Sequence, residues 1–183
     1  VLGMQNSGKS TLINALLGWE ILPTSEGVET ATLYTIEPGS TDQILIYLSS
    51  GKCMEISIED NRFKYNAIGC EVDQIVGNIS ESKAIKKAKS SSEIIQVILK
   101  ELNTVCRKMQ NSQKILFIKE IKIQLKDFEI LGKKQTVCIK DFPGAGAKYL
   151  GEEHKAIIQE EIENITNAVA INVLNVGDST LKT

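Results

Sequence analysis

Residues 3–10 read G-M-Q-N-S-G-K-S, and the fold of the whole chain turns on how that stretch is read. The pattern is that of a complete phosphate-binding loop. Glycines at its first and sixth positions, Gly3 and Gly8, let the backbone take turn angles closed to other residues and approach a phosphate closely. Successive N–H groups then line a concave anion site, to which Asn6, Ser7 and Thr11 also belong. Lys9 is placed to reach the β- and γ-phosphates, and the Ser10 hydroxyl to ligate Mg²⁺. Val1-Leu2 is the stub of a strand, and T-L-I-N-A-L-L-G at 11–18 is a helical run closed by a glycine. The positive end of that helix faces the phosphates. Strand, glycine loop and helix in this order predict binding of a nucleoside triphosphate.

At 183 residues, 42% of them apolar, the chain makes one domain with a substantial core. A formal net charge of −2 offers no polyanion-binding surface, so nucleic acid is disfavoured as a partner. Cys53, Cys70, Cys106 and Cys138 are widely spaced and His154 is the single histidine, which argues against a zinc site or a disulfide framework. Reduced, cytosolic thiols are the simpler reading. No apolar stretch approaches the roughly 20 residues of a membrane span, and no signal peptide is visible. The chain starts without Met, two residues before the phosphate loop, and stops soon after an apolar run. We therefore expect it to be a segment of a longer polypeptide.

After the first helix, L-Y-T-I-E (33–37) and I-L-I-Y-L (44–48) are short β-rich runs separated by Pro38-Gly39, and are expected to be neighbouring antiparallel strands. M-E-I-S-I (54–58) suits a third. Residues 60–90 are mixed and polar, and K-A-I-K-K-A-K (83–89) is read as a solvated basic face, with anionic lipid as the lesser alternative. Ile94, Ile98, Leu102, Val105 and Met109 then recur at helical spacing, flanked by Ile95, Leu99 and Cys106. I-L-F-I-K-E-I-K-I-Q-L (115–125) alternates from Lys119 onward as a half-buried strand should, and T-V-C-I-K-D (136–141) is another. Ile157, Ile158, Ile162 and Ile165 share one helical face, and A-V-A-I-N-V-L (168–174) suits a central parallel strand. This order predicts an open α/β sheet: a P-loop NTPase three-layer fold with a mostly parallel central sheet, truncated at both ends.

D-F-P-G at 141–144 supplies the second half of a site. An acidic residue at the carboxyl end of a buried strand sits beside the phosphate loop in such sheets. Asp141 can hold Mg²⁺ there, while the Gly144 N–H meets the γ-phosphate. Thr30, in the loop between the first helix and the next strand, is the candidate for a third element. Its hydroxyl would bind Mg²⁺ and its carbonyl the attacking water; Thr24 and Thr32 are rivals for the role.

These stretches together resemble the dynamin superfamily of large GTPases. The likeness runs through G-M-Q-N-S-G-K-S-T-L-I-N-A-L-L-G-W-E-I-L-P-T, V-E-T-A-T, and E-I-K-I-Q-L to I-K-D-F-P-G, covering nearly the whole chain. Its most discriminating part is L-L-G-x-x-x-L-P-T. The resemblance implies a dynamin-type GTPase domain over 1–183, incomplete, with an insertion carrying an amphipathic helix at about 60–112. It implies Lys9 as the phosphate-loop lysine, Ser10 and Thr30 as Mg²⁺ ligands, and Asp141 and Gly144 as the second-switch pair. Gln5 stands where dynamins proper carry the glutamine that orients water. Asn6 replaces their serine and matches the asparagine of bacterial-type relatives. Ala145 removes the Ras-like glutamine after D-x-x-G, which places more weight on Gln5. The guanine-specificity motif would lie beyond Thr183, so GTP rather than ATP follows from the resemblance alone. The implied activity is GTP hydrolysis coupled to membrane remodelling through nucleotide-dependent dimerisation of GTPase domains. The membrane would be reached through regions outside this segment, and the protein would be cytoplasmic and peripheral to membranes. A GTP-binding switch with little turnover and another P-loop NTPase, such as an ATPase, are the alternatives.

Overall fold

The computed structural model describes residues 1–3, 7–24, 32–111, 118–143 and 152–174 of the chain. Its elements run β1 (Leu2–Gly3), α1 (Lys9–Leu17), β2 (Leu33–Pro38), β3 (Asp42–Leu48), β4 (Cys53–Glu59) and β5 (Arg62–Tyr65). Then follow α2 (Glu71–Ser80), α3 (Lys83–Lys87), α4 (Ser91–Asn111), β6 (Ile118–Leu125), β7 (Glu129–Ile130), β8 (Lys133–Lys134), β9 (Ile139–Asp141), α5 (Glu152–Asn164) and β10 (Asn172–Val173).

Six strands form one sheet in the order β5-β4-β3-β6-β2-β9. The expected mostly parallel sheet is corrected here. Only β2 and β6 pair in parallel, while β3–β4, β3–β6, β4–β5 and β2–β9 are antiparallel. For β3–β4 and β4–β5 the reason is connection length. The turns joining β3 to β4 and β4 to β5 are too short for a crossover, which needs a dozen residues or more. The β4–β5 turn is Asp60-Asn61, both at positive φ, the backbone that a tight hairpin demands. Outside this sheet β1 pairs in parallel with β10. The Val1 nitrogen donates to the Lys140 carbonyl and the Phe142 N–H to the Val1 carbonyl, which sets Val1 beside β9.

A second correction concerns β2 and β3. They run in opposite directions, as expected, but β6 lies between them, bonded to both. Both β2 and β3 carry a buried apolar face, and so does β6. Placing β6 in the middle lines up Ile36, Ile123, Ile44 and Ile56 across four strands. These residues are buried, as are Tyr34, Ile121, Ile46 and Met54 in the next row. The other face carries Glu37, Lys122, Gln124 and Gln43, tied by a Lys122–Glu37 ion pair and hydrogen bonds between Gln43, Gln124 and Glu37.

The apolar face is covered in part by α4. In α4, Ile94, Ile95, Ile98, Leu99 and Leu102 are fully buried, as their periodicity predicts; Val105, Cys106 and Met109 lie outside the described side chains. Residues 60–90 contain more order than their polar composition suggests: β5, α2 and α3 all fall there. Asp73 ties off the start of α2 by accepting N–H groups from Ile68, Gly69 and Cys70, which compensates for a weak Cys70 cap. In α3 the lysines are exposed while Ile85 packs on the core. The 168–174 run is not the buried central strand expected of it. Only two residues pair, and Val169 and Leu174 are 88% and 67% exposed. Among the described residues β1 is its one strand neighbour, so nothing there buries its other edge. Ile162 on α5 is likewise exposed; Ile157 and Ile158 lie outside the described side chains.

Candidate functional site

The first helix begins where the G-M-Q-N-S-G stretch ends. Gly8 is the residue before α1, at φ 89, a left-handed backbone that a side chain would strain. Gly3, at φ 150, closes β1 where no side chain fits: a Cβ would stand 2.4 Å from the Val173 carbonyl oxygen and 2.8 Å from Ser7 Oγ. The two glycines therefore serve different ends. Gly8 turns the chain into the helix, and Gly3 lets β1 and β10 close up.

Lys9 and Ser10 occupy the first turn of α1, whose unpaired N–H groups give that end a partial positive charge. Asp141 ends β9, on the face that carries the core. The fold brings it to α1 across 131 residues of sequence, and Ser10 Oγ donates a 3.1 Å hydrogen bond to its Oδ2. The carboxylate is wholly buried, and its Oδ1 has no hydrogen-bond partner among the described residues. Burial pushes the Asp141 carboxyl up to about 6, against the pull of the Lys9 charge and the Ser10 hydrogen bond. Lys9 is nearly buried too, and burial holds its ammonium below the usual lysine range while the Asp141 charge opposes this. An unpaired buried carboxylate oxygen costs free energy unless something positive meets it. Beside a serine hydroxyl and a helix start, the donor set is hard oxygen, which suits a divalent cation such as Mg²⁺.

The fold thus brings Lys9, Ser10 and Asp141 together. Thr11 is exposed on the first turn of α1. Gln5, Asn6, Thr30 and Gly144 lie outside the described residues. Of the rivals to Thr30, Thr32 is committed elsewhere: its buried hydroxyl donates to the Ile118 carbonyl at 2.9 Å. Thr24 is exposed beyond the end of α1.

A sequence model described as the Dynamin family matches residues 1–180. The chain belongs to the dynamin family. A relative of this dynamin-family chain is "Dynamin-like protein 1" of Campylobacter jejuni subsp. jejuni serotype O:23/36 (strain 81-176), 28% identical over 148 residues. The match covers 79% of this chain and 18% of that protein. A solved structure, described as an oligomerised bacterial dynamin pair that provides a mechanism for long-range sensing and tethering of membranes, aligns at TM-score 0.42 and 19% identity. It covers 89% of this chain and 21% of that one, so the dynamin-family chain spans about a fifth of the length of these relatives.

Sequence reasoning passed over one residue that builds this site. Asn14, in the middle of α1, is buried, and its side chain bonds three backbone groups beyond the helix. Nδ2 donates to the Leu22 carbonyl at 2.8 Å, while Oδ1 accepts from Ile21 N–H at 3.1 Å and Leu22 N–H at 2.9 Å. This pins I-L-P-T against α1, giving a physical role to the most discriminating stretch of the dynamin likeness. The available signal was an amide inside an apolar helical run, on the face of Ile13 and Leu17, where only a satisfied polar group is tolerated. A second missed contact joins Lys140 of β9 to Glu161 of α5.

Proposed function

We propose that this chain is the nucleotide-binding part of a dynamin-like GTPase, binding GTP with Mg²⁺ and hydrolysing its β–γ phosphoanhydride. The observation that carries the reading is the meeting of Ser10 and Asp141 at the start of α1, beside Lys9. In this proposal Lys9 neutralises β- and γ-phosphate charge, and the N–H groups of residues 3–11 surround the phosphate oxygens. Ser10, Thr30 and Asp141 hold Mg²⁺, which when bound offsets charge developing on the phosphate oxygens. Gly144 offers its N–H to the γ-phosphate. Gln5 and the Thr30 carbonyl orient the attacking water, with Asn6 and Ser7 shaping the loop. Guanine preference, self-association through GTPase domains and coupling to membrane remodelling belong to the same proposal, supported by family membership.

Titration calorimetry on the full-length protein with non-hydrolysable GTP and ATP analogues tests it. Lys9→Ala should abolish binding, because nothing else in the loop replaces its charge near the phosphates. Gln5→Ala should lower turnover while leaving affinity within about threefold, since the water contact is made on the way to the transition state. Unchanged affinity in Lys9→Ala would overturn the site, and stronger binding of the ATP analogue would overturn the guanine reading.

A further inference from the structure

The row of side chains that crosses the buried face of the sheet ends in a carboxylate. Met54, Ile46, Ile121 and Tyr34 stand side by side on β4, β3, β6 and β2, and β9 then places Asp141 directly opposite Tyr34. Residues paired in this way across antiparallel strands point to the same side, with Cβ atoms about 4.5–5.5 Å apart. Both are buried, Tyr34 at 2% exposure and Asp141 at 0%. The ring of Tyr34 therefore stands between the apolar row and the carboxylate. Ser10 of α1 meets the same carboxylate through its hydrogen bond to Oδ2. An aspartate side chain has three staggered positions about its first torsion. One that turned it over β2 would meet the Tyr34 ring instead of the Ser10 hydroxyl. The apolar row alone would be served as well by isoleucine, the residue at the matching places of β3 and β6.

We propose that Tyr34 is a positioning residue for Asp141, its ring closing the β2 side so that the carboxylate is held toward Ser10 and the candidate cation site. Asp141 Oδ1 has no hydrogen-bond partner among the described residues, so no bond of its own sets its direction. The bond from Ser10 to Oδ2 and the wall of the ring fix it together. A flat ring with two side-chain torsions fills the space beside the carboxylate stiffly, where a smaller or more pliant apolar side chain would leave room to turn. In this role Tyr34 touches neither nucleotide nor cation and acts through Asp141. The consequence for Mg²⁺ rests on the function proposed above; the orientation of the carboxylate does not.

Tyr34→Leu and Tyr34→Phe in the full-length protein test it. Leucine keeps the apolar row and removes the ring; phenylalanine keeps the ring and removes the hydroxyl. In crystals grown without nucleotide, the Ser10–Asp141 hydrogen bond should be lost in Tyr34→Leu and kept in Tyr34→Phe. In solution, the Mg²⁺ concentration for half-maximal GTP turnover should rise about tenfold in Tyr34→Leu and stay within about twofold of the parent in Tyr34→Phe. At saturating Mg²⁺, kcat and the KM for GTP should remain within about twofold in both. A merely structural defect would lower the active fraction, and with it kcat, without moving the Mg²⁺ requirement. Should Tyr34→Leu fail to fold, Tyr34→Met takes its place, since its flexible side chain fills the row without a ring. A retained Ser10–Asp141 bond or a parental Mg²⁺ requirement in the variant without the ring would overturn the proposal. So would a Tyr34→Phe variant as impaired as Tyr34→Leu. A parent protein without GTP turnover would overturn the proposed function instead, leaving the hydrogen bond in the crystals to decide the role of Tyr34.

Discussion

Asn14→Ala isolates the contact that joins the first helix to the segment after it. The substitution removes three hydrogen bonds, to Leu22 C=O, Leu22 N–H and Ile21 N–H, at 2.8, 2.9 and 3.1 Å. Ile21 and Leu22 are 0% and 1% exposed, so water cannot readily replace the lost partner. At about 1 kcal/mol net for each bond the loss is about 3 kcal/mol, and unmet burial of the three backbone groups raises it further. Alanine's better helix propensity returns about 0.6 kcal/mol. The balance is a loss of about 3 kcal/mol, which for a chain of this length lowers the thermal midpoint by about 6–12 °C. Urea titration followed by far-ultraviolet circular dichroism, with the slope checked for two-state behaviour, measures it. Asn14→Asp keeps an acceptor for the two N–H groups but turns a donor into a charge facing the Leu22 carbonyl, so it should not restore the parent. A loss below about 1 kcal/mol in Asn14→Ala would refute the claim that the carboxamide, rather than the apolar packing of Ile21 and Leu22, holds the segment.

Further outcomes follow from the same physics. In the presence of EDTA and without nucleotide, Asp141→Asn should stabilise the protein at neutral pH. A carboxyl titrating near 6 in the folded state instead of near 4 costs about 3 kcal/mol there. Between about pH 4 and 6 the folded state binds more protons than the unfolded one, so the parent's stability falls as pH rises through that window and then levels. The asparagine variant should lack that slope, and a melting series from pH 4 to 8 in which both proteins run parallel would contradict the burial argument. Asp73→Ala should lower the thermal midpoint by freeing three N–H groups at the start of α2. Three backbone N–H bonds hold the Asp73 carboxyl below its usual range, so its stabilising contribution should be lost in acid, as pH falls through that lowered value. Pairwise melts of the two proteins at neutral and acid pH would show it. Gly3→Ala should disrupt the β1–β10 pairing, because the added methyl meets backbone at 2.4 Å. Loss of thermal stability together with nucleotide binding is expected, and an unaffected alanine variant would mean that β10 is free to withdraw.

What the sequence determined by itself was local. G-x-x-x-x-G-K-S, Asp-Phe-Pro-Gly and the i, i+4 isoleucines of α4 each encode their conformation in a few adjacent residues, through backbone freedom, charge or one periodic face. These readings held in part where the structure describes them: Gly8 is at positive φ, Lys9 and Ser10 open α1, and Ile94 to Leu102 are buried, while Asp141 is buried but ends a three-residue edge strand rather than the buried strand expected over 136–141. Strand partnership was not local. β2, β3 and β6 carry equivalent buried apolar rows on one face, and alternation alone does not say which of them stands in the middle. That was decided by the packing of four rows at once, which puts β6 between two strands adjacent in sequence and makes most of the sheet antiparallel. The same holds for the single polar contacts. Asn14 reaches Leu22, Thr32 reaches Ile118 and Lys140 reaches Glu161 only because chain segments 8, 86 and 21 residues apart are brought together. A side chain's type states what it can bond; only the tertiary structure states what is close enough to be bonded.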